Sequence, residues 1–237
     1  MATPIIAPRA AAPAAVEYPE SDGKPMAETD VHARAMIDVR AMLENRFAPD
    51  PDVYVSGNLL LYYEEGDPTE SVAPDVFVVR GVAKGWRRVY KVWEEGRPPD
   101  WVLEISSRGT RWEDRTTKRG LYEVLGVAEY FLFDPLEEYL RPPLQGYRLT
   151  AGRYQSIVPL PSGGLPSEAL GLELHWESGR LRLFDPASGR WLLTPAETEA
   201  ARQAAEAHLA QEAAARREVE VELARLRAEL ARLRPAP

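Results

Sequence analysis

A chain of 237 residues with 45% hydrophobic and 28% charged side chains can bury one ample globular core and lies well away from the composition of disordered proteins. It has no cysteine, which excludes disulfides, thiolate metal sites and cysteine nucleophiles, and its histidines, at positions 32, 175 and 208, are too scattered for a zinc motif. The formal net charge of -8 argues against a broad phosphate-binding surface, yet Arg80 to Arg119 holds 11 basic and 6 acidic residues, against 18 basic and 31 acidic elsewhere.

Residues 1–24 are rich in alanine and proline, show no core-forming period and predict a flexible arm. They lack the basic start and apolar run of a secretory signal, and no stretch approaches the roughly 20 apolar residues that cross a bilayer, so the expected location is cytoplasmic. From Met26 to Phe47, Val31, Ala35, Met36, Val39, Met42, Leu43 and Phe47 recur near helical spacing, with Thr29 or Asp30 as N-cap. Pro49 and Pro51 end that helix, and Val53 to Tyr63 reads as a strand pair or one long bent strand.

Pro74–Val79 and Trp101–Ser106 follow as strands whose apolar runs imply cover on both faces. Thr110 to Leu125 predicts a helix stopped by Gly126, and Glu129 to Pro135 a further strand. Strand, helix, strand in this order is a crossover unit, which makes the flanking strands parallel. Tyr147–Leu149, Tyr154–Leu160, Gly171–Trp176 and Leu181–Phe184 suggest antiparallel hairpins extending the domain.

After Thr194 the composition shifts to Ala, Glu, Arg and Leu, a long helix. Val219, Leu223, Leu226, Leu230 and Leu233 alternate spacings of four and three, a coiled-coil seam that Arg216 and Glu212 interrupt towards the N-terminus. Self-association through this helix and a lone helix both fit the pattern.

Two carboxylates carry the chemical signal. Asp75 opens one strand behind a proline, and Glu104 lies within another among Trp101, Val102, Leu103 and Ile105, where a carboxylate is costly unless paired or bound to a cation. Asp114 and Lys118 stand four apart on the next helix, and the crossover lets that helix face Glu104. A buried structural ion pair explains the same residues without chemistry.

In these segments the chain resembles the Uma2-type proteins of bacteria, regarded as members of the PD-(D/E)XK nuclease superfamily. The likeness rests on Val72–Val79, Tyr90–Gly96, Leu103–Ser107, Asp114 with Lys118, and Gly126–Tyr130 leading to Phe133-Asp134-Pro135, and covers roughly residues 26 to 195. It implies an α/β fold with a restriction-endonuclease-like core, a central mixed β-sheet flanked by helices, spanning residues 25–195, with 196–237 as the helical coiled-coil tail. The superfamily places a lysine two residues after the glutamate. Here that place holds Ser106, and the resemblance assigns the role to Lys118.

What the resemblance implies is a Mg²⁺-dependent endonuclease, with Mn²⁺ as a substitute. Asp75 and Glu104 would bind the metal, Lys118 would orient or deprotonate the attacking water, and Asp114 and Ser106 would support them. His32, Arg108, Arg111 and Arg115 would contact a nucleic-acid substrate, DNA foremost, with Arg119 a further candidate. The expected assembly is a homodimer or higher homo-oligomer. Two carboxylates also suit a glycosidase, although the lysine and the basic middle favour phosphate. A non-catalytic DNA-binding or assembly protein with a degenerate nuclease fold is the other alternative.

Overall fold

A computed structural model of the chain describes residues 16–21, 23 and 29–233, the side chains of 230–233 excepted. Most of the expected N-terminal arm lies outside the described residues. The chain divides into two compact units, one ending at Leu192 and one beginning at Leu193.

The first unit is a mixed α/β fold built on a six-stranded sheet in the order β1-β4-β6-β7-β8-β9. Its strands are β1 (Val53–Ser56), β4 (Val76–Arg80), β6 (Trp101–Ile105), β7 (Glu129–Phe133), β8 (Leu144–Thr150) and β9 (Arg153–Ser156). Only β6 and β7 pair in parallel, as the crossover rule requires, and the other four contacts are antiparallel.

Strand alternation sorts the core into two layers. On one face Val76, Val78, Trp101, Leu103, Ile105, Phe131 and Phe133 pack against helix α1 (Asp30–Arg46) through Val39, Met42, Leu43 and Phe47. On the other, Phe77, Val79, Val102, Tyr130 and Leu132 meet Tyr122 and Val127. Glu104 shares the parity of Val102 and therefore points to this second face, under the helical crossover.

Thr29 caps α1 by accepting the amide of His32 at 3.2 Å, as the sequence predicts. The crossover helix is less regular than expected. It comprises α3 (Arg111–Glu113), a π-helical turn (Asp114–Lys118) and α4 (Arg119–Leu125), and ends at Gly126 with φ 82°. The periodicity of apolar residues does not reveal the π turn, because Asp114–Lys118 contains no apolar side chain to mark the change of phase.

Of the two readings of Val53–Tyr63, the strand pair is the one the structure has, and its members join different sheets. β1 joins the central sheet, and β2 (Leu61–Tyr62) lies between β3 (Ser71–Val72) and β5 (Tyr90–Lys91), the last leading into a single helical turn, α2 (Val92–Glu95). The later hairpins also divide. β8 and β9 extend the central sheet, whereas β10 (Leu165–Ser167), β11 (Leu172–Glu177), β12 (Arg180–Asp185) and β13 (Arg190–Trp191) make a separate antiparallel sheet. Its Leu165, Leu172, Leu174, Leu181 and Leu183 join the α1 side of the core.

The second unit is one helix, α5 (Pro195–Leu233). Thr194 and Glu197 form a reciprocal cap, the Glu197 carboxylate accepting the Thr194 amide at 2.8 Å and Thr194 Oγ1 accepting the Glu197 amide at 3.3 Å. Among the described residues no helix is long and apolar enough to cross a membrane.

Candidate active site

The β4–β6 register pairs Val76 with Leu103, so carrying it one residue further sets Asp75 opposite Glu104. Gly57 allows this approach: a Cβ there would stand 2.1 Å from the Asp75 carbonyl oxygen. Asp75 Oδ2 accepts the backbone amide of Ile105 at 2.6 Å. His32 Nε2 lies 2.9 Å from the Ile105 carbonyl oxygen and 3.3 Å from Asp75 Oδ2, so α1 and β4 both grip the end of β6.

Glu104 reaches the crossover helix. Lys118 Nζ donates to its Oε2 at 2.9 Å, and the Tyr122 hydroxyl donates to its Oε1 at 2.7 Å. Lys118 Nζ also lies 3.1 Å from Asp114 Oδ1, at ion-pair distance but without hydrogen-bond alignment, so neither Asp114 carboxylate oxygen has an aligned donor. The Tyr130 hydroxyl donates to the Asp114 carbonyl oxygen at 2.7 Å, satisfying backbone at the π turn. Irregular helix of this kind concentrates at functional sites, and here it holds Asp114 and Lys118 towards Glu104.

Two carboxyl groups, Glu104 and Asp114, thus flank one ammonium, with Asp75 opposite Glu104 across the strand pair. Burial pushes the Glu104 carboxyl up to about 8, Lys118 opposes the rise, and Asp75 and Asp114 add to it. Asp114 is raised in the same sense, chiefly by burial. Burial disfavours the Lys118 charge, but Glu104, Asp114 and Asp75 outweigh it and the net shift is upward. The cluster therefore holds more acid groups than one lysine can balance, and Glu104 keeps a proton up to about pH 8.

A hard divalent cation matches that excess and the all-oxygen donor set, and the undonated Asp114 oxygens fit the same need. In this conformation the ammonium stands between Glu104 and Asp114, and among the described residues no group of three or more His, Asp or Glu is arranged to hold a metal ion. The donors suit a cation in kind. Binding one requires Lys118 to move or to share Glu104.

These residues are largely closed off from bulk water. Glu104 is 1% exposed and Asp114 is fully buried, while the Lys118 and Asp75 side chains, at 12% and 14%, mark the way in. The reason is the crossover helix, which Tyr122 and Tyr130 seat directly over β6. Two cavities among the described residues lie away from Asp75, Glu104 and Lys118. One, about 660 Å³, is bordered by Phe47, Tyr54, Leu59 and Trp86, and the other, about 330 Å³, by Arg111, Trp112, Arg115, Glu138 and Tyr139.

Ser106 is buried beside Glu104 in sequence, its amide bonded to the Phe133 carbonyl at 2.7 Å and its hydroxyl without a partner among the described residues. His32, expected at the substrate, is 5% exposed and turned to Asp75 and Ile105. Of the basic stretch, Arg80, Lys84, Arg87, Lys91 and Arg97 are held by backbone carbonyls or carboxylates. Arg108, Arg111 and Arg115 have no carboxylate at ion-pair distance among the described residues; Arg111 lies over the Tyr139 ring at 5.2 Å, and Arg119 lies over Tyr147 at 4.1 Å.

Tyr122 is the contact that reading the sequence missed. It was visible only as an apolar helix position, although its place four residues after Lys118 put both on one side of the helix.

The model of the Uma2 family, described as "Putative restriction endonuclease", matches residues 8–183. No curated protein matches the chain. Among solved structures, a "putative nuclease belonging to DUF820" from Anabaena variabilis is similar, with 20% identity, a TM-score of 0.42, and coverage of 59% of this chain and 76% of that one.

Proposed function

We propose, from the premise that the chain belongs to the Uma2 family, that it is a metal-dependent endonuclease hydrolysing phosphodiester bonds of nucleic acid, DNA foremost. The observation that carries this reading is the contact of Lys118 with Glu104 at 2.9 Å, in a cluster where Asp114 and Asp75 bring more acid groups than one ammonium can balance.

Asp75 and Glu104 would hold Mg²⁺, or Mn²⁺ in its place, which supplies Lewis-acid stabilisation of the phosphoryl oxygens and a more acidic water. Lys118 would orient the attacking water and stabilise the charge that develops on the phosphoryl group. Asp114 keeps the ammonium beside Glu104, and Tyr122 fixes the other Glu104 oxygen. His32 acts as a positioning residue, holding Asp75 and the end of β6. Arg108, Arg111 and Arg115, free of carboxylates, would grip the phosphate backbone.

A second reading has its own support. Both Glu104 oxygens are satisfied by protein donors at a 1% exposed site, which is how a retained but inactive centre would also look. In that case the protein binds DNA without cutting it.

Incubation with supercoiled plasmid separates the two. Nicked or linear product in Mg²⁺ or Mn²⁺, and none in EDTA, is the expected result. Retained binding with intact plasmid under every metal condition would replace the nuclease by the binding protein.

A further inference from the structure

We propose that α5 pairs two copies of this chain as a parallel, in-register, two-stranded coiled coil over residues 219–233, an inference that does not depend on the nuclease reading. Within the helix, Val219, Leu223 and Leu226 are 59%, 47% and 46% exposed. They follow spacings of four and three, which Leu230 and Leu233 continue in the sequence, although those two side chains lie outside the described residues. Leu223 and Leu230 thereby take heptad position a, and Val219, Leu226 and Leu233 take d.

The charges beside the seam identify the occupant. Glu222 falls at g and Arg227 at e. In a parallel pair in register each g residue faces the following e residue across the seam, so Glu222 meets Arg227 of the partner subunit. Symmetry makes two such pairs. An antiparallel pair brings g to g and e to e, setting glutamate against glutamate and arginine against arginine.

Nothing within the helix competes strongly for these groups. Arg227 and Glu229 have no ion-pair partner among the described residues, and Glu222 meets Arg225 of its own helix only at 3.6 Å and in solvent. Arg216 occupies the preceding a position and pairs with Glu220 at 3.3 Å. A long cation at a reaches water past a two-stranded seam and is buried in a trimer or tetramer, so it favours the dimer. Parallel pairing puts both copies of Pro195 at the same end, where both copies of the first unit are attached.

The seam is short, so the dimer should dissociate on dilution. Sedimentation equilibrium of the full chain should show a mass rising with concentration to twice 26.5 kDa and no further, and Leu226→Asp should hold it at the monomer. Because the protein has no cysteine, Val219→Cys gives a single thiol at a d position, and mild oxidation should cross-link it into a disulfide dimer in a parallel coil. Arg227→Glu should weaken the dimer by about tenfold, and adding Glu222→Arg should restore it. A monomer at every concentration, a mass above the dimer, a dimer that survives Leu226→Asp, or a dimer that Val219→Cys fails to cross-link would each overturn the proposal.

Discussion

Lys118 Nζ and Glu104 Oε2 lie 2.9 Å apart, one group from the π turn of the crossover helix and the other from the centre of β6. The contact joins the two halves of the strand-helix crossover at the point where Asp75 and Asp114 also converge. Replacing Lys118 by Met should leave Glu104 and Asp114 buried beside an apolar side chain. The cost of removing one partner from a buried ion pair is about 3–5 kcal/mol, read as a lower urea midpoint in EDTA. Mg²⁺ should recover more of that loss in the variant than it adds to the wild type. An unchanged midpoint would mean that the ammonium does not balance the cluster.

Tyr122→Phe removes only the hydroxyl that donates to Glu104 Oε1 at 2.7 Å. Above about pH 8, where Glu104 is ionised, a hydrogen bond to a charged group contributes about 1.5–3 kcal/mol, and the same denaturation experiment should register a loss of that order. A variant as stable as the wild type would remove Tyr122 from the site.

Acidity gives a signed expectation for the metal-free protein. Burial first, then Asp75 and Asp114, against Lys118, lift Glu104 from 4.5 to about 8, so the folded state keeps a proton that the unfolded chain releases. The stability this confers is complete below the unfolded value and is lost as pH rises through the folded one. Between about pH 4.5 and 8, stability should therefore fall, by at most about 1.4 kcal/mol per pH unit for one proton. Asp114, also raised, adds to the same slope. Glu104→Gln should flatten it, and a stability that climbs across this window would show that Glu104 is ionised in the fold.

The fold was legible where local signals agreed. Thr29 and Gly126 marked helix ends, and the apolar runs within Pro74–Val79 and Trp101–Ser106 marked strands covered on both faces. What escaped depended on distant partners. Ser71–Val72 and Tyr90–Lys91 are too short to show a period and exist as strands only because Leu61–Tyr62 lies between them. Glu104 stood out because a carboxylate is anomalous in an apolar run, whereas Tyr122 is unremarkable on an apolar helix face and only its partner gives it meaning. The closure over Glu104 was equally invisible, since it follows from how the crossover helix seats on β6.

Arg108, Arg111 and Arg115 should be separable from the centre by salt. Each arginine that neutralises one phosphate contributes roughly one unit to the slope of log K against log[salt], so single alanine variants should lower that slope by about 1 and leave the urea midpoint unchanged. An unaltered slope in all three would place the DNA elsewhere.

The most direct measurement is plasmid cleavage by wild type and Glu104→Gln side by side in Mg²⁺, with circular dichroism and DNA affinity measured on both. The account expects the wild type to nick the plasmid and the variant to bind it, folded, without cutting. Equal cleavage by the two proteins would contradict a catalytic role for Glu104.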